Sequence, residues 1–263
     1  MGEGGNLGMS QLGRIEYCLN GGACNTDFID NAGGVNCSDH EVNIKILLNG
    51  VLVAGDMTGK QRNQLLAQMT DDVAQLVLGS NYTQTQALSL AERRARERMG
   101  EYRRLMSDLE SRGRLDRALE FLPSDEQLGD RALTRPELAV LLSYSKIDLK
   151  QALLDSSVPD DDYLVRDMQR AFPPQLVERF GEAMRNHRLR REIVATQIAN
   201  DLVDRMGITF AQRLCSSTGM GAAQVAEAYV IVRDVFHLPH WYRQIESLDY
   251  GVSADTQLAL MDD

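Results

Sequence analysis

The spacing of apolar residues predicts a mainly helical chain beyond about residue 50. Apolar side chains recur there every three or four residues, which is the spacing of one face of an α-helix. The strongly apolar stretch after Thr134 is expected to form the centre of a helical core. The helices that this spacing predicts cover 58–78, 85–112, 174–184, 189–206 and 221–235.

Residues that stabilise helix ends support these boundaries. In a capping box, a Ser or Thr accepts from the backbone N–H three residues on, and a Glu or Gln there bonds back. Ser124 with Gln127 fits this pattern, and so does Thr134 with Glu137. Ser10 is expected to cap the first helix of the chain.

Residues 1–48 have a mixed α/β pattern instead. Residues 26–29 predict a short buried strand, and the Gly33-Gly34 pair after them predicts a tight turn. Ser38 with Glu41 then predicts a third capping box, at the start of a helix. α/β proteins bind ligands where a strand, a glycine turn and a helix meet, and the free amides of the helix favour an anion.

Composition and charge narrow the classes of function. The chain has 263 residues, 43% of them hydrophobic, which is enough for one large domain or two small ones. Its net charge of -10 argues against nonspecific binding to nucleic acid or to an anionic membrane. Without a long apolar run or a secretory signal, the sequence predicts a cytoplasmic protein with no membrane partner.

Cysteine and histidine residues suggest metal sites only weakly. Cys18, Cys24 and Cys37 with His40 have no C-x-x-C spacing, so reduced thiols are favoured over zinc ligands. The His237–His240 pair has no third ligand in the sequence nearby, and we expect no metal there.

Two arginine-rich stretches each allow two interpretations. His187 lies among four arginines, which indicates either an anion site or a surface turn, and the surface turn is favoured. Residues 93–104 form either a face for RNA or another anion, or a solvated helix with i,i+4 ion pairs. Glutamates alternate with these arginines, so the solvated helix is favoured.

The sequence around residue 31 resembles a known enzyme family. Asn31-Ala32-Gly33-Gly34-Val35, then Ser38 and Glu41, is similar to the NAGGV-x-x-S-x-x-E segment of amino-acid dehydrogenases of the glutamate dehydrogenase type. Five stretches resemble the large bacterial NAD-specific glutamate dehydrogenases in amino-acid sequence: residues 2–6, 13–17, 26–31, 37–45 and 133–139. The resemblance implies that the chain is the C-terminal portion of a much longer enzyme.

This resemblance implies a fold and an assembly. Residues 1–48 would be the terminal segment of a Rossmann-like NAD-binding domain, and residues 49–263 a C-terminal helical domain. The expected fold class is therefore mainly α, with an incomplete Rossmann-like α/β segment before an all-α domain. Upstream domains of the same polypeptide would be its partners, in a parent enzyme expected to be a homo-oligomer.

The resemblance also implies roles for single residues. Asn6 and Asn31 would lie beside the nicotinamide end of NAD, and the Gly33-Gly34 pair would let the backbone approach the cofactor. Ser38 would hold the side-chain carboxylate of L-glutamate or 2-oxoglutarate, with Val35 beside it. Without the resemblance, Ser38 is a helix cap and Asn31 closes a turn.

The family reaction is the oxidative deamination of L-glutamate to 2-oxoglutarate and ammonia with reduction of NAD. It needs a lysine of lowered pKa, and none of Lys45, Lys60, Lys146 and Lys150 has the glycine-rich context of the family's catalytic lysine. We therefore expect no catalytic residue in this chain, no activity of the chain alone and weak NAD binding.

Two alternatives remain open from the sequence. The chain is either part of the enzyme or a non-enzymatic helical interaction or regulatory module. An open, truncated cleft in front of Asn31 and Ser38 would favour the enzyme, and a closed core would favour the module. The substrate is either glutamate or leucine, valine or phenylalanine, and a polar environment around Ser38 would favour glutamate.

Overall fold

The computed structural model describes residues 1–129 and 131–262, and this part of the chain is mainly α-helical with no strand. Two short 3-10 turns, Val158–Asp160 and Asp162–Leu164, lie between helices. The α-helices of the described residues are α1 (Gln11–Leu19), α2 (Asp27–Asp30), α3 (Ala32–Ala54), α4 (Gly59–Gln68), α5 (Thr70–Arg94), α6 (Met99–Ser111), α7 (Asp125–Leu128), α8 (Arg135–Leu154), α9 (Val165–Gln169), α10 (Pro174–Met184), α11 (Arg190–Met206), α12 (Phe210–Thr218), α13 (Ala222–Val235), α14 (Leu238–Glu246) and α15 (Ala254–Asp262).

Helix α8 is the centre of the core, as its apolar sequence predicts. It packs against α11, α5, α13 and α1, so neighbours cover it on several sides. Burying a leucine side chain contributes about 2 kcal/mol, which makes this helix a major source of stability. Its most buried leucines, each with no exposed area, are Leu138, Leu141, Leu142 and Leu153.

Side chains cap the helix ends at the positions that the sequence predicts. Ser10 Oγ accepts a hydrogen bond from the Gly13 N–H at 3.2 Å, at the start of α1. The Ser124 box is complete, with both of its hydrogen bonds to Gln127 present. At the start of α8, Glu137 accepts from the backbone N–H and the hydroxyl of Thr134, both at 2.7 Å.

The strand predicted over residues 26–29 is wrong. This stretch is the single helical turn α2, in which the N–H groups of Ile29 and Asp30 donate to Thr26 O at 3.2 and 3.1 Å. No strand lies beside it among the described residues, so a helical turn pairs these amides locally where an isolated strand would leave them unpaired. Ile29 is still buried, as expected.

The predictions of a glycine turn at residues 33–34 and of a helix cap at Ser38 are also wrong. Helix α3 begins at Ala32, with Asn31 as its N-cap residue, and it includes both Gly33 and Gly34. Ser38 is the seventh residue of α3, and Glu41 forms an ion pair with Lys45 on the same helix. The pattern S-x-x-E therefore falls inside a helix, where the backbone amides already have partners.

Two long predicted helices are broken in the structure. The helix expected over 58–78 divides at Met69 into α4 and α5, and the one over 85–112 divides at 95–98 into α5 and α6. The apolar side chains at helical spacing across this break still face the core: Ala95, Tyr102, Met106 and Leu109 are buried, and Met99 is partly buried.

Helix α3 connects the N-terminal segment to the rest of the chain. It continues to Ala54 and ends at Gly55, whose φ of 85° is left-handed and suits glycine. The expected boundary after residue 48 falls within this helix and stays a prediction. Across residues 1–129 and 131–262, no helix combines the length and the apolarity needed to cross a membrane.

Candidate functional site

Asn6 and Asn31 are brought together from different parts of the N-terminal segment. Asn31 Nδ2 donates a hydrogen bond to Asn6 Oδ1 at 2.6 Å in an exposed setting. Asn31 is fixed by the start of α3, whereas Asn6 lies in the irregular stretch before α1. The two residues for which the family resemblance implies a place near one nicotinamide ring are therefore neighbours.

A buried ion-pair cluster holds the irregular stretch around Asn6. Glu3 and Arg14, which are 6% and 4% exposed, form an ion pair, and Arg14 Nη2 also lies 3.3 Å from Asp27. The hydrogen bond from Arg14, opposed by burial, lowers the pKa of Glu3. Glu3 accepts from the Met9 N–H at 2.7 Å, and Asp27 accepts from the Leu7 N–H at 3.1 Å. The chain on both sides of Asn6 is thus tied to charged groups.

Ser38 lies on an exposed face of α3. Its Oγ donates to Gly34 O at 3.1 Å, one turn earlier. Val35 is 64% exposed and Val42 is 50% exposed on the same face, and the Glu41–Lys45 pair lies beside them. This face is open to solvent and mixes apolar with charged side chains.

The opposite face of α3 is buried against the helical part of the chain. Ile44, Leu47, Leu48 and Val51 belong to the main core. His40 Nδ1 makes a hydrogen bond to Ala171 O at 2.9 Å, which adds a polar contact with the segment after α9. The core and this bond fix the direction in which the exposed face points.

His187 is part of this attachment, so its prediction as a surface residue is wrong. It is 7% exposed, and its Nε2 donates to Asn43 O in α3 at 3.0 Å while its Nδ1 accepts from the Leu189 N–H at 3.1 Å. Burial lowers the pKa of His187. Arg185 and Arg188 on either side are exposed, while the histidine between them is buried.

The two glycines of the motif have different surroundings. A Cβ added at Gly33 would lie 3.5 Å from Asn81 Nδ2 and 3.8 Å from Val77 Cγ1, so Gly33 packs closely against α5. A Cβ at Gly34 would meet nothing within 4 Å. Only Gly34 therefore offers open backbone to a ligand.

The cysteines and the other histidines do not converge on one point. Cys18 and Cys24 are free thiols with their sulfur atoms 3.6 Å apart, while Cys37 is exposed on α3. Burial, together with the Cys18 thiol, raises the pKa of Cys24 to about 11. In the part of the chain that the structure describes, no three His, Cys, Asp or Glu residues are placed to hold a metal ion.

Comparison with known proteins decides the family. Residues 1–91 match the family model "Bacterial NAD-glutamate dehydrogenase, catalytic domain", and residues 130–263 match "Glutamate dehydrogenase, C-terminal". The chain belongs to the bacterial NAD-glutamate dehydrogenase family.

Curated relatives of the chain include three proteins named NAD-specific glutamate dehydrogenase. The chain is 74% identical to the one from Pseudomonas aeruginosa, over 100% of its own length. It is 58% identical to the one from Halomonas elongata and 40% identical to the one from Mycobacterium tuberculosis, each over 99% of its length. The chain spans about 16% of the length of these relatives.

Several polar contacts in the chain were not predicted from the sequence. The Glu3–Arg14–Asp27 cluster is one example. Its residues are far apart along the chain, and neither helical nor strand periodicity predicts that they meet. The arginine-rich stretch is another, since Arg93 and Arg94 form ion pairs with Asp255 and Asp262 of α15. These two arginines therefore anchor a distant helix rather than form the expected i,i+4 pairs.

Proposed function

We propose that this chain works as part of an NAD-dependent glutamate dehydrogenase, which converts L-glutamate and water to 2-oxoglutarate and ammonia while NAD is reduced. One observation carries the proposal. Val35 and Ser38 of the motif lie on an open face of α3, in a chain that is 74% identical to a protein named NAD-specific glutamate dehydrogenase.

Residues 1–48 are proposed to be the last segment of a Rossmann-like NAD-binding domain. When it is bound, NAD supplies the acceptor for the hydride from the substrate carbon. The Asn6–Asn31 hydrogen bond leaves the NH₂ group of Asn6 as a donor and the side-chain oxygen of Asn31 as an acceptor. One donor and one acceptor match the carboxamide of nicotinamide, which has one of each. Gly34, with nothing within 4 Å of an added Cβ, leaves room for close approach, and Gly33 lets this turn of α3 lie against α5.

Ser38 and Val35 are proposed to contact the substrate. A hydroxyl group that now donates to Gly34 O can turn to donate to a carboxylate, which is a stronger acceptor than a backbone carbonyl. Val35, at 64% exposure, offers an apolar surface to the methylene groups of glutamate. Leucine, valine and phenylalanine have no side-chain carboxylate and gain nothing from such a hydroxyl group.

The remaining chemistry is proposed to come from other parts of the same polypeptide. Lys45 is paired with Glu41 and Lys146 with Asp204, and neither has the free, desolvated amine that a catalytic base needs. We expect the chain alone to be inactive and to bind NAD weakly. In the parent, the helical domain is proposed to pack on the catalytic core of a cytoplasmic homo-oligomer.

The experiment that tests this proposal uses the longer polypeptide that contains the chain. NADH formation is followed by absorbance with glutamate, leucine, valine and phenylalanine as substrates. Glutamate-dependent, NAD-dependent turnover supports the proposal. Equal or faster turnover of an apolar amino acid would refute glutamate as the substrate. No turnover with any of the four amino acids would refute the proposal that the polypeptide is such an enzyme.

A further inference from the structure

Arg135, the first residue of α8, reaches from the C-terminal segment to the N-terminal one. It is 13% exposed, and its Nε donates to Asn25 Oδ1 at 2.5 Å. Its two other nitrogens donate to α5, with bonds of 3.1 Å to Ser89 Oγ, Glu92 Oε2 and Thr85 O. Four hydrogen bonds, one to Asn25 and three to α5, hold the guanidinium group in one place.

Asn25 passes this constraint on to Asp30. Because the Asn25 oxygen accepts from Arg135, its NH₂ group faces the other way, where it donates to Asp30 Oδ1 at 2.7 Å. The second oxygen of Asp30 accepts from the Glu3 N–H at 2.7 Å. Asp30, which directly precedes Asn31, is therefore bonded to the irregular stretch that carries Asn6.

We propose that Arg135 is a positioning residue for the Asn6–Asn31 pair, acting through Asn25 and Asp30. The inference rests on the proposed role of that pair at the nicotinamide ring. The residue belongs to the part that matches the C-terminal family model, whereas Asn25 and Asp30 lie in the part that matches the catalytic-domain model. The helical domain thus sets the geometry of hydride transfer from outside the catalytic segment.

The test uses the full-length polypeptide that carries this chain, with the variants Arg135→Met, Arg135→Lys, Asn25→Asp and Asn25→Leu. Arg135→Met is expected to lower kcat about tenfold with less than a twofold change in KM for glutamate, because Ser38 lies elsewhere on α3. Asn25→Asp keeps an acceptor for Arg135 but sets a second carboxylate against Asp30, so it is expected to lower kcat to a similar extent. Arg135→Lys should recover part of the loss.

Non-additivity separates positioning from a general structural role. If Arg135 acts through Asn25, the double variant Arg135→Met/Asn25→Leu should be about as active as Asn25→Leu alone, instead of about tenfold slower than Asn25→Leu, because leucine at position 25 already removes the contacts with both Arg135 and Asp30. Arg243→Met, at an exposed arginine of α14, is the matched control and should keep wild-type kcat.

Three results would overturn the inference. They are additive losses in the double variant, a wild-type kcat in Asn25→Asp, or a loss that appears only in KM for glutamate. Because Asn25→Asp leaves α8 and its contacts in place, its kcat still supports or refutes the inference when Arg135→Met fails to fold. A wild-type enzyme with no glutamate-dependent NADH formation would instead refute the proposed function, and the inference with it.

Discussion

Replacing Arg233 should destabilise the helical part of the chain strongly. Arg233 is 1% exposed on α13 and forms ion pairs of 2.8 Å with Asp167 of α9 and with Asp201 of α11. Its Nε also lies 3.0 Å from Asp234. Burial raises the pKa of Asp234, but the bonds from Arg233 outweigh burial and the pKa is lowered. One arginine therefore contacts three carboxylates where three helices meet.

The expected cost follows from what Arg233→Met leaves behind. Removing one partner of a buried ion pair costs about 3–5 kcal/mol, because the other charge stays buried. Asp167 is 1% exposed, and its Oδ2 has no hydrogen-bond partner among the described residues. Arg170 lies 3.1 Å from Asp167 and still offsets part of the charge. We therefore expect a loss near the lower end, about 3 kcal/mol.

Urea denaturation followed by circular dichroism measures this loss. Arg170→Met is the matched control, since this arginine is 39% exposed, and it should cost less than about 1 kcal/mol. The double variant Arg233→Met/Asp167→Leu should be more stable than Arg233→Met, because it removes the uncompensated charge. A cost below about 1 kcal/mol for Arg233→Met, or no recovery in the double variant, would refute this reasoning.

Two further predictions concern α3. The pKa of His187 is lowered in the folded chain, so as the pH falls the unfolded chain binds a proton on this histidine before the folded chain does. The contribution of His187 to the free energy of unfolding is therefore complete above about pH 6.5 and declines as the pH falls below that value. Denaturation between pH 7.5 and 5.5 should show this decline, and His187→Gln should flatten it; an unchanged slope would contradict the prediction. Ser38→Ala should change the free energy of unfolding by less than about 0.5 kcal/mol, as for an exposed position inside a helix. A loss of about 1 kcal/mol would instead restore the helix-cap interpretation.

The helical part of the fold was largely predictable because its signals are local. The capping residues Ser10, Ser124 and Thr134 each bond to a residue three positions away, and the apolar spacing of α8 depends only on that helix. Ser38 shows the limit of such patterns. The sequence S-x-x-E is the same at a helix start and inside a helix, and only the position of Asn31 as N-cap distinguishes them.

The polar contacts that organise the candidate site were not predictable, because they join distant residues. Nothing near Arg135 indicates that its partner is Asn25. Arg233 did leave a signal, since it continues the buried stripe of Val225, Ala226 and Tyr229 at helical spacing. An arginine on an apolar stripe requires buried acids, but the sequence does not say which ones.

The most direct test of the central claim compares the wild-type full-length polypeptide with Ser38→Ala in glutamate-dependent NADH formation. A hydrogen bond to a charged group contributes about 1.5–3 kcal/mol, so the account predicts a rise in KM for glutamate of about 10- to 150-fold. KM for NAD and the thermal unfolding midpoint should stay near their wild-type values. An unchanged KM for glutamate in a folded variant would contradict the proposed role of this face of α3.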